Sequence, residues 1–268
     1  MSDTIISSAS NETVKRLRKL LSSGKERRES NTYVAEGTHL VKSFLDSGGR
    51  PFYYVCAASA LLNDEVAELV ERLTELEARP AIVADSLFTS MMSIHAAVGI
   101  AIVGRIPEAA RVPVPLEHTA VLLEAVQDPG NLGTMLRTSA AAGVKTVILS
   151  EGCASPWSPK ALRAGMGAQF GLTIYEGADL VEVVRTASIP TLVTTLSPES
   201  RSLYDLDLSN PVAWIFGNEG QGVSAALLEA AQVHVSIPQA DTPVESLNVA
   251  AAAAVCLYEQ FRQSVRSE

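Results

Sequence analysis

No stretch of this sequence is apolar for long enough to cross a bilayer: the strongest run, residues 249–257, falls far below the roughly 18 residues that a membrane helix needs. Cysteine is scarce, three in 268 residues. Cys56, Cys153 and Cys256 are odd in number and widely spaced, which excludes a disulfide framework and a CxxC metal motif. A reducing, cytoplasmic setting is expected. The opening MSDTIISSASNETVKR has no basic segment followed by an apolar one, so no secretory signal is expected there. Positive charge is in deficit, 21 Lys and Arg against 30 Asp and Glu, a net charge of −9. That balance excludes a protein that coats nucleic acid through its whole surface.

Against these absences stands a hydrophobic share of 47%, enough for a substantial core, in a chain long enough for two domains. The charge deficit also has a local exception. Lys15, Arg16, Arg18, Lys19, Lys25, Arg27 and Arg28 are opposed between residues 15 and 28 only by Glu26. Such a run is either a solvated helix face or a phosphate-contacting one. Residues 106–118, IPEAARVPVPLEH, carry three prolines and no helical period, which marks a linker. The expected division is a first domain over 1–106, a linker over 107–117 and a second domain over 118–268.

In the first domain the periodicity predicts helices over 13–21 and 64–77 and strands over 51–57 and 98–105. In the second, apolar runs over 120–126, 146–149, 191–194, 212–216 and 233–237 alternate with helical stretches. Strands alternating with helices imply a mostly parallel sheet covered on both faces. The alanine-rich segment from residue 246 reads as a closing helix able to approach another helix tightly, or as an ordinary buried one.

Three segments of the second domain carry polar residues where chemistry is done. The first, residues 122–149, is a βαβ unit whose strand runs into Asp-Pro-Gly-Asn, with Asn131 as a natural N-cap and Arg137 further along the helix. Loops at the carboxyl ends of parallel strands are where ligands bind. The second, residues 213–224, breaks from a strand into a loop with Gly217, Gly220 and Gly222 around Glu219. The spacing G-x-x-G-x-G is not the dinucleotide fingerprint, and no phosphate-binding lysine follows. A carboxylate there repels pyrophosphate but suits a hydroxyl or an amide. The third, residues 235–259, ends a strand at Pro238 and opens the last helix with Ser246 and Asn248, either as caps or as site residues.

Taken in order, DPGNLGTMLRTSAAAG, IFGNEGQGVS and IPQADTPVESLNVAAA resemble the three signature motifs of the SpoU (TrmH-like) family of RNA 2′-O-ribose methyltransferases. SPKALRAGMGAQF resembles that family's intervening helix. The resemblance implies an α/β fold of SPOUT type: a C-terminal parallel-sheet domain closed by a deep trefoil knot, S-adenosyl-L-methionine as cofactor, and a homodimer. The segment NETVKRLRKLLSSGKERRESNTYVAEGTHLVKSFLDSG is similar to the small L30e-like α/β domain of ribosomal-RNA members. It implies RNA binding through Lys15, Arg16, Arg27, Arg28, Glu36 and His39, and large-subunit ribosomal RNA as partner. Transfer RNA is the alternative substrate, and a non-catalytic RNA-binding protein the alternative function.

On that resemblance Arg137, Asn131, Glu219 and Asn248 are the catalytic set, and Leu196, Gly217, Ile237, Ser246 and Leu247 surround the cofactor. Guanidinium stays protonated in proteins, so Arg137 is read as an electrostatic group that holds a phosphate or the forming alkoxide, not as a base. No metal is expected. A nucleotide-dependent oxidoreductase would need the dinucleotide fingerprint that the glycine loop lacks.

Overall fold

The computed structural model describes residues 5–93, 98–108, 111–241, 243 and 245–265. It divides into two compact units, one of Met1–Pro107 with Trp157–Phe170 and one of Glu108–Pro156 with Gly171–Glu268.

The first unit starts with α1 (Glu12–Ser22), capped by Asn11, whose side chain accepts from the Thr13 amide. Val14, Leu17 and Leu20, three residues apart, form its buried stripe. After α2 (Gly24–Ser30) the chain turns through Asn31 in the left-handed region and enters β1 (Thr32–Glu36). There follow α3 (Thr38–Asp46), β2 (Tyr53–Ala57), α4 (Asp64–Glu75), β3 (Arg79–Val83), α5 (Asp85–Met91) and β4 (Ile100–Arg105). The sheet order is β1-β4-β2-β3, with β4 antiparallel to both neighbours and β2 parallel to β3.

The second unit places β5 (Ala120–Leu123), α6 (Pro129–Ala141) and β6 (Thr146–Ser150) in succession. The next helix, α7 (Pro159–Gly165), lies in the stretch that groups with the first unit. There Trp157 and Phe170 stack on Tyr33 with ring centroids 5.0 and 6.0 Å away. The expected second domain over 118–268 is therefore interrupted. The chain then makes β7 (Thr173–Ala178), α8 (Leu180–Thr186), β8 (Thr191–Thr194), β9 (Arg201–Ser202), β10 (Ala213–Phe216), α9 (Ala225–Ala230), β11 (Val233–Ser236) and α10 (Val249–Val265).

All seven strands of this unit pair in parallel, in the order β7-β6-β5-β10-β8-β11-β9. Alternate side chains of each strand serve the two faces. Val121, Leu123, Trp214 and Phe216 face Leu132, Met135 and Leu136 of α6 and Ala253, Cys256 and Leu257 of α10. Leu122, Val193, Ala213 and Ile215 face Leu180, Val183 and Val184 of α8 and Leu227 of α9. Burial on both faces explains why β5 and β10 are unbroken apolar runs. β5 stops at Leu123, short of the expected residue 126, because Ala125 takes a φ of 49° and turns the chain. The proline-rich stretch expected as a linker holds no helix or strand among its described residues, yet Leu116 is buried in the second core and its carbonyl accepts from Ser188. No described helix is long and apolar enough to cross a membrane.

Candidate active site

The strand order of the second unit reverses at β5 and β10, and open α/β sheets bind ligands beyond the carboxyl ends of strands at such a point. Three loops meet there. Asp128, not Asn131, caps α6, accepting from the amides of Gly130 at 2.7 Å and Asn131 at 2.9 Å. Pro129 at the first helical position fixes that start. The expectation of Asn131 as cap is thereby corrected, and its side chain is released for other work.

That work is a chain of hydrogen bonds. Asn131 Nδ2 donates to Glu219 Oε1 at 3.1 Å, and Asn131 Oδ1 accepts from Asn248 Nδ2 at 3.1 Å. Asn248 Oδ1 accepts from the amides of Ala250 and Ala251 at 2.9 and 3.2 Å, so it does cap α10 while its amide nitrogen serves the site. Glu219 also accepts from the backbone amides of Gln127 at 3.1 Å and Asp128 at 3.0 Å. Partial burial pushes the Glu219 carboxyl up, but donation from the Asp128, Glu219 and Gln127 amides and from Asn131 outweighs it and holds the group below its ordinary value. A lowered carboxylate keeps its bonds at neutral pH and gives them up only as the pH falls through that lowered value. Glu219 is thus an ionised staple between the loop after β10 and the start of α6, with its lone pairs engaged and little capacity as a base.

Beside this chain lies a cavity of about 420 Å³, within the range of small-molecule sites. Leu196, Gly217, Ile237, Ser246 and Leu247, the five residues expected around the cofactor, all line it, and Glu219 sits on its wall. Leu196 is 61% exposed, an apolar side chain held at the mouth. At Gly217 a Cβ would run into the backbone of Gly222, so only glycine lets the loop fold back this closely.

Asn218, which sequence reasoning passed over, holds that loop together. Its Oδ1 accepts from the amides of Gly220 at 2.9 Å and Gln221 at 3.0 Å, its backbone exchanges two bonds with Gly222, and its Nδ2 donates to the Ala125 carbonyl at 2.8 Å. The signal was present: asparagine ahead of a glycine-rich turn commonly bonds the backbone two residues on. Apolar walls and a carboxylate in place of a phosphate-binding lysine suit an adenosyl group without phosphates. The residues present fit S-adenosylmethionine.

Arg137 is not drawn into this cluster. It stands exposed on α6 and makes no hydrogen bond or ion pair among the described residues. No group of three or more His, Cys, Asp or Glu among the described residues could hold a metal ion.

In the first unit two expected RNA contacts are corrected. Arg27 is 7% exposed and its guanidinium donates to the Leu20 carbonyl at 2.6 Å, closing the end of α1. Glu36 is 4% exposed and accepts from the Ser93 amide at 2.9 Å and hydroxyl, with Arg163 Nη1 at 3.5 Å. Both are consumed by internal bonds. Arg16, Arg28 and His39 are exposed, and Lys15 is exposed but paired with Glu12 at 2.9 Å. Arg27→Ala is expected to destabilise the fold by about 1–3 kcal/mol, read from urea unfolding, because buried carbonyls lose a charged donor. Unchanged stability would contradict this structural role.

A model of the SpoU rRNA methylase family matches residues 118–258, the whole of the site just described. The chain belongs to that family. Its first part, residues 11–91, matches an MRM3-like substrate-binding domain. Among SpoU relatives, an uncharacterized tRNA/rRNA methyltransferase of Synechocystis is 36% identical over 261 residues, covering 96% of this chain and 93% of that protein. The 23S rRNA (guanosine-2′-O)-methyltransferase RlmP of Bacillus subtilis is 34% identical, covering 94% and 97%. The crystal structure of an AdoMet-bound rRNA methyltransferase from Sinorhizobium meliloti superposes with a TM-score of 0.85 at 29% identity over 97% of each chain.

Proposed function

We propose that this SpoU protein transfers a methyl group from S-adenosylmethionine to the 2′-hydroxyl of a ribose in large-subunit ribosomal RNA. The observation that carries this reading is the hydrogen-bonded chain Glu219–Asn131–Asn248, which ties three loops together on the wall of a cavity suited to an adenosyl group. RlmP, similar over nearly the full length, is named for the same reaction on 23S rRNA.

S-adenosylmethionine, when bound, would supply a methyl carbon on its sulfonium, which the ribose 2′-oxygen takes in line as the carbon–sulfur bond breaks, the neutral thioether leaves and the hydroxyl proton passes to a neighbouring phosphate or water. The chain's own residues aim and stabilise. Leu196, Ile237 and Leu247 enclose the apolar part of the cofactor, while Gly217 and Ser246 offer backbone and hydroxyl groups. Glu219, Asn131 and Asn248 fix the geometry around the accepting hydroxyl. Arg137 holds a neighbouring phosphate or the developing alkoxide, and its lack of an internal partner leaves its donors free for that purpose.

The reading includes a homodimer and a trefoil knot around the cofactor. Tyr258, Phe261 and Val265 of α10 are 49%, 40% and 56% exposed, an apolar strip on the last helix that suits a second copy. Sedimentation at micromolar concentration is expected to give a dimer, and an active monomer would contradict that assignment. Three free cysteines agree with a cytoplasmic setting. Labelled methyl groups from S-adenosylmethionine are expected to enter unmodified large-subunit RNA. Cofactor binding without incorporation into that RNA would overturn the substrate.

A further inference from the structure

In a chain with more acids than bases, most cations that sit near a carboxylate pair with it: Lys15 with Glu12, Lys25 with Glu29, Lys42 and Arg72 with Asp46. One end of the four-stranded sheet is different. There β1, β2 and β3 begin and β4 ends, so Thr32 lies opposite Arg105 and Tyr53 opposite both Val103 and Arg79. The turn into β1 brings Arg28 to the same end, through the Asn31 amide bonding the Arg28 carbonyl and Ile106 bonding Asn31. Arg50 stands just before β2. Arg28, Arg50, Arg79 and Arg105 are all exposed, and none of their guanidinium groups has a hydrogen bond or ion pair among the described residues.

In the midst of these arginines is an aromatic ring. Phe52 is 44% exposed, and the Arg105 guanidinium lies over it, 5.4 Å from the ring centroid. A guanidinium stacked in this way keeps its in-plane N–H donors available to phosphate. An exposed ring beside unpaired arginines is the combination that single-stranded nucleic acid requires, with a base on the ring and phosphates on the cations.

We propose that this end of the first unit's sheet binds single-stranded RNA, an unpaired base stacking on Phe52 and the backbone running over Arg105 and its neighbouring arginines. The assignment rests on the reading of the chain as an RNA methyltransferase and adds where its substrate is gripped. It reaches beyond the basic run on α1 and α2, because Phe52, Arg50, Arg79 and Arg105 lie outside that run and only Arg28 belongs to both.

The test is the anisotropy of a labelled short oligouridylate on the full-length protein. Phe52→Ala is expected to weaken binding roughly tenfold, with Phe52→Trp restoring it, since stacking needs only a π face. Arg105→Gln is expected to lower the slope of log affinity against log salt by about 0.7, one phosphate contact on a single strand. Both variants are expected to keep the wild-type melting temperature and S-adenosylmethionine affinity. Wild-type oligouridylate affinity in Phe52→Ala, or failure of Phe52→Trp to restore binding, overturns the assignment; an equal loss on double-stranded RNA overturns the stacking role. If such a variant result accompanies methylation of ribosomal RNA by the wild type, the site falls and the function stands. If the wild type neither binds the oligomer nor methylates RNA, both fall together.

Discussion

Replacing Arg137 by alanine is expected to lower methyl transfer roughly 10²–10³-fold while S-adenosylmethionine affinity stays within about twofold, the signature of a group that acts on developing charge. The two halves of that expectation have separate grounds. Arg137 does not line the cavity, so the cofactor loses no contact. It also has no internal partner among the described residues, so its donors are available to an external anion. Along the helix it stands about 9 Å from Asn131 at 1.5 Å per residue, on a different face, so the phosphate or alkoxide it serves must span that separation or reach it from a second copy. Arg137→Lys is expected to recover part of the rate as a point charge without the planar fork. Single-turnover transfer and calorimetric titration of the cofactor separate the two effects. Full activity in Arg137→Ala would remove the electrostatic role, and loss of cofactor affinity would make the residue structural.

The second large effect is expected at Gly217→Ala. The added Cβ meets the backbone of Gly222 rather than the end of a movable side chain, so the whole loop must shift. That loop carries Glu219, and displacement by about 1 Å at a site of this kind costs on the order of 10²-fold in rate. Cofactor affinity is expected to fall as well, because the displaced loop forms part of the cavity wall. Overpacking of this type costs about 1–3 kcal/mol of stability. Gly220→Ala is the matched control: its Cβ would find only Asn218 Oδ1 at 3.7 Å, an ordinary contact. Near wild-type cofactor affinity for Gly220→Ala beside a large loss for Gly217→Ala supports the close approach. Equal effects would contradict it.

What could be read without coordinates follows from how each residue is buried. Residues 213–216 are unmistakable as a strand because both faces are covered and every position is apolar, and 191–194 keep the β-branched, buried character of a covered strand with threonine at each end. β7 escaped because it is an edge strand, with Thr173, Glu176 and Gly177 at exposed positions that break the apolar pattern. β3 begins Arg-Pro, and proline argues against a central strand; it too lies at an edge, where proline is tolerated. The cap of α6 was legible but misassigned: Asp128 and Asn131 are both good caps, and only Pro129, which favours the first helical position, decides between them.

Charge misled more than pattern did. A count of basic residues treats Arg27 like Arg28, although one closes α1 from inside and the other faces solvent. Glu36 sits in an element whose resemblance pointed to RNA, but its carboxylate is spent on Ser93 and Arg163, a residue 127 positions away. Long-range partners of this kind leave no local trace. The motif trio fared differently: Asn131, Glu219 and Asn248 are far apart in sequence, yet the order of the three loops was enough to put them together.

The most direct test of the central claim is where the methyl group goes. Large-subunit RNA labelled by the protein and S-adenosylmethionine, then hydrolysed in alkali, is expected to retain the label in a dinucleotide resistant to cleavage, because a methylated 2′-oxygen can no longer attack the neighbouring phosphodiester. Release of the label in ordinary mononucleotides would place the methyl on a base and contradict the account.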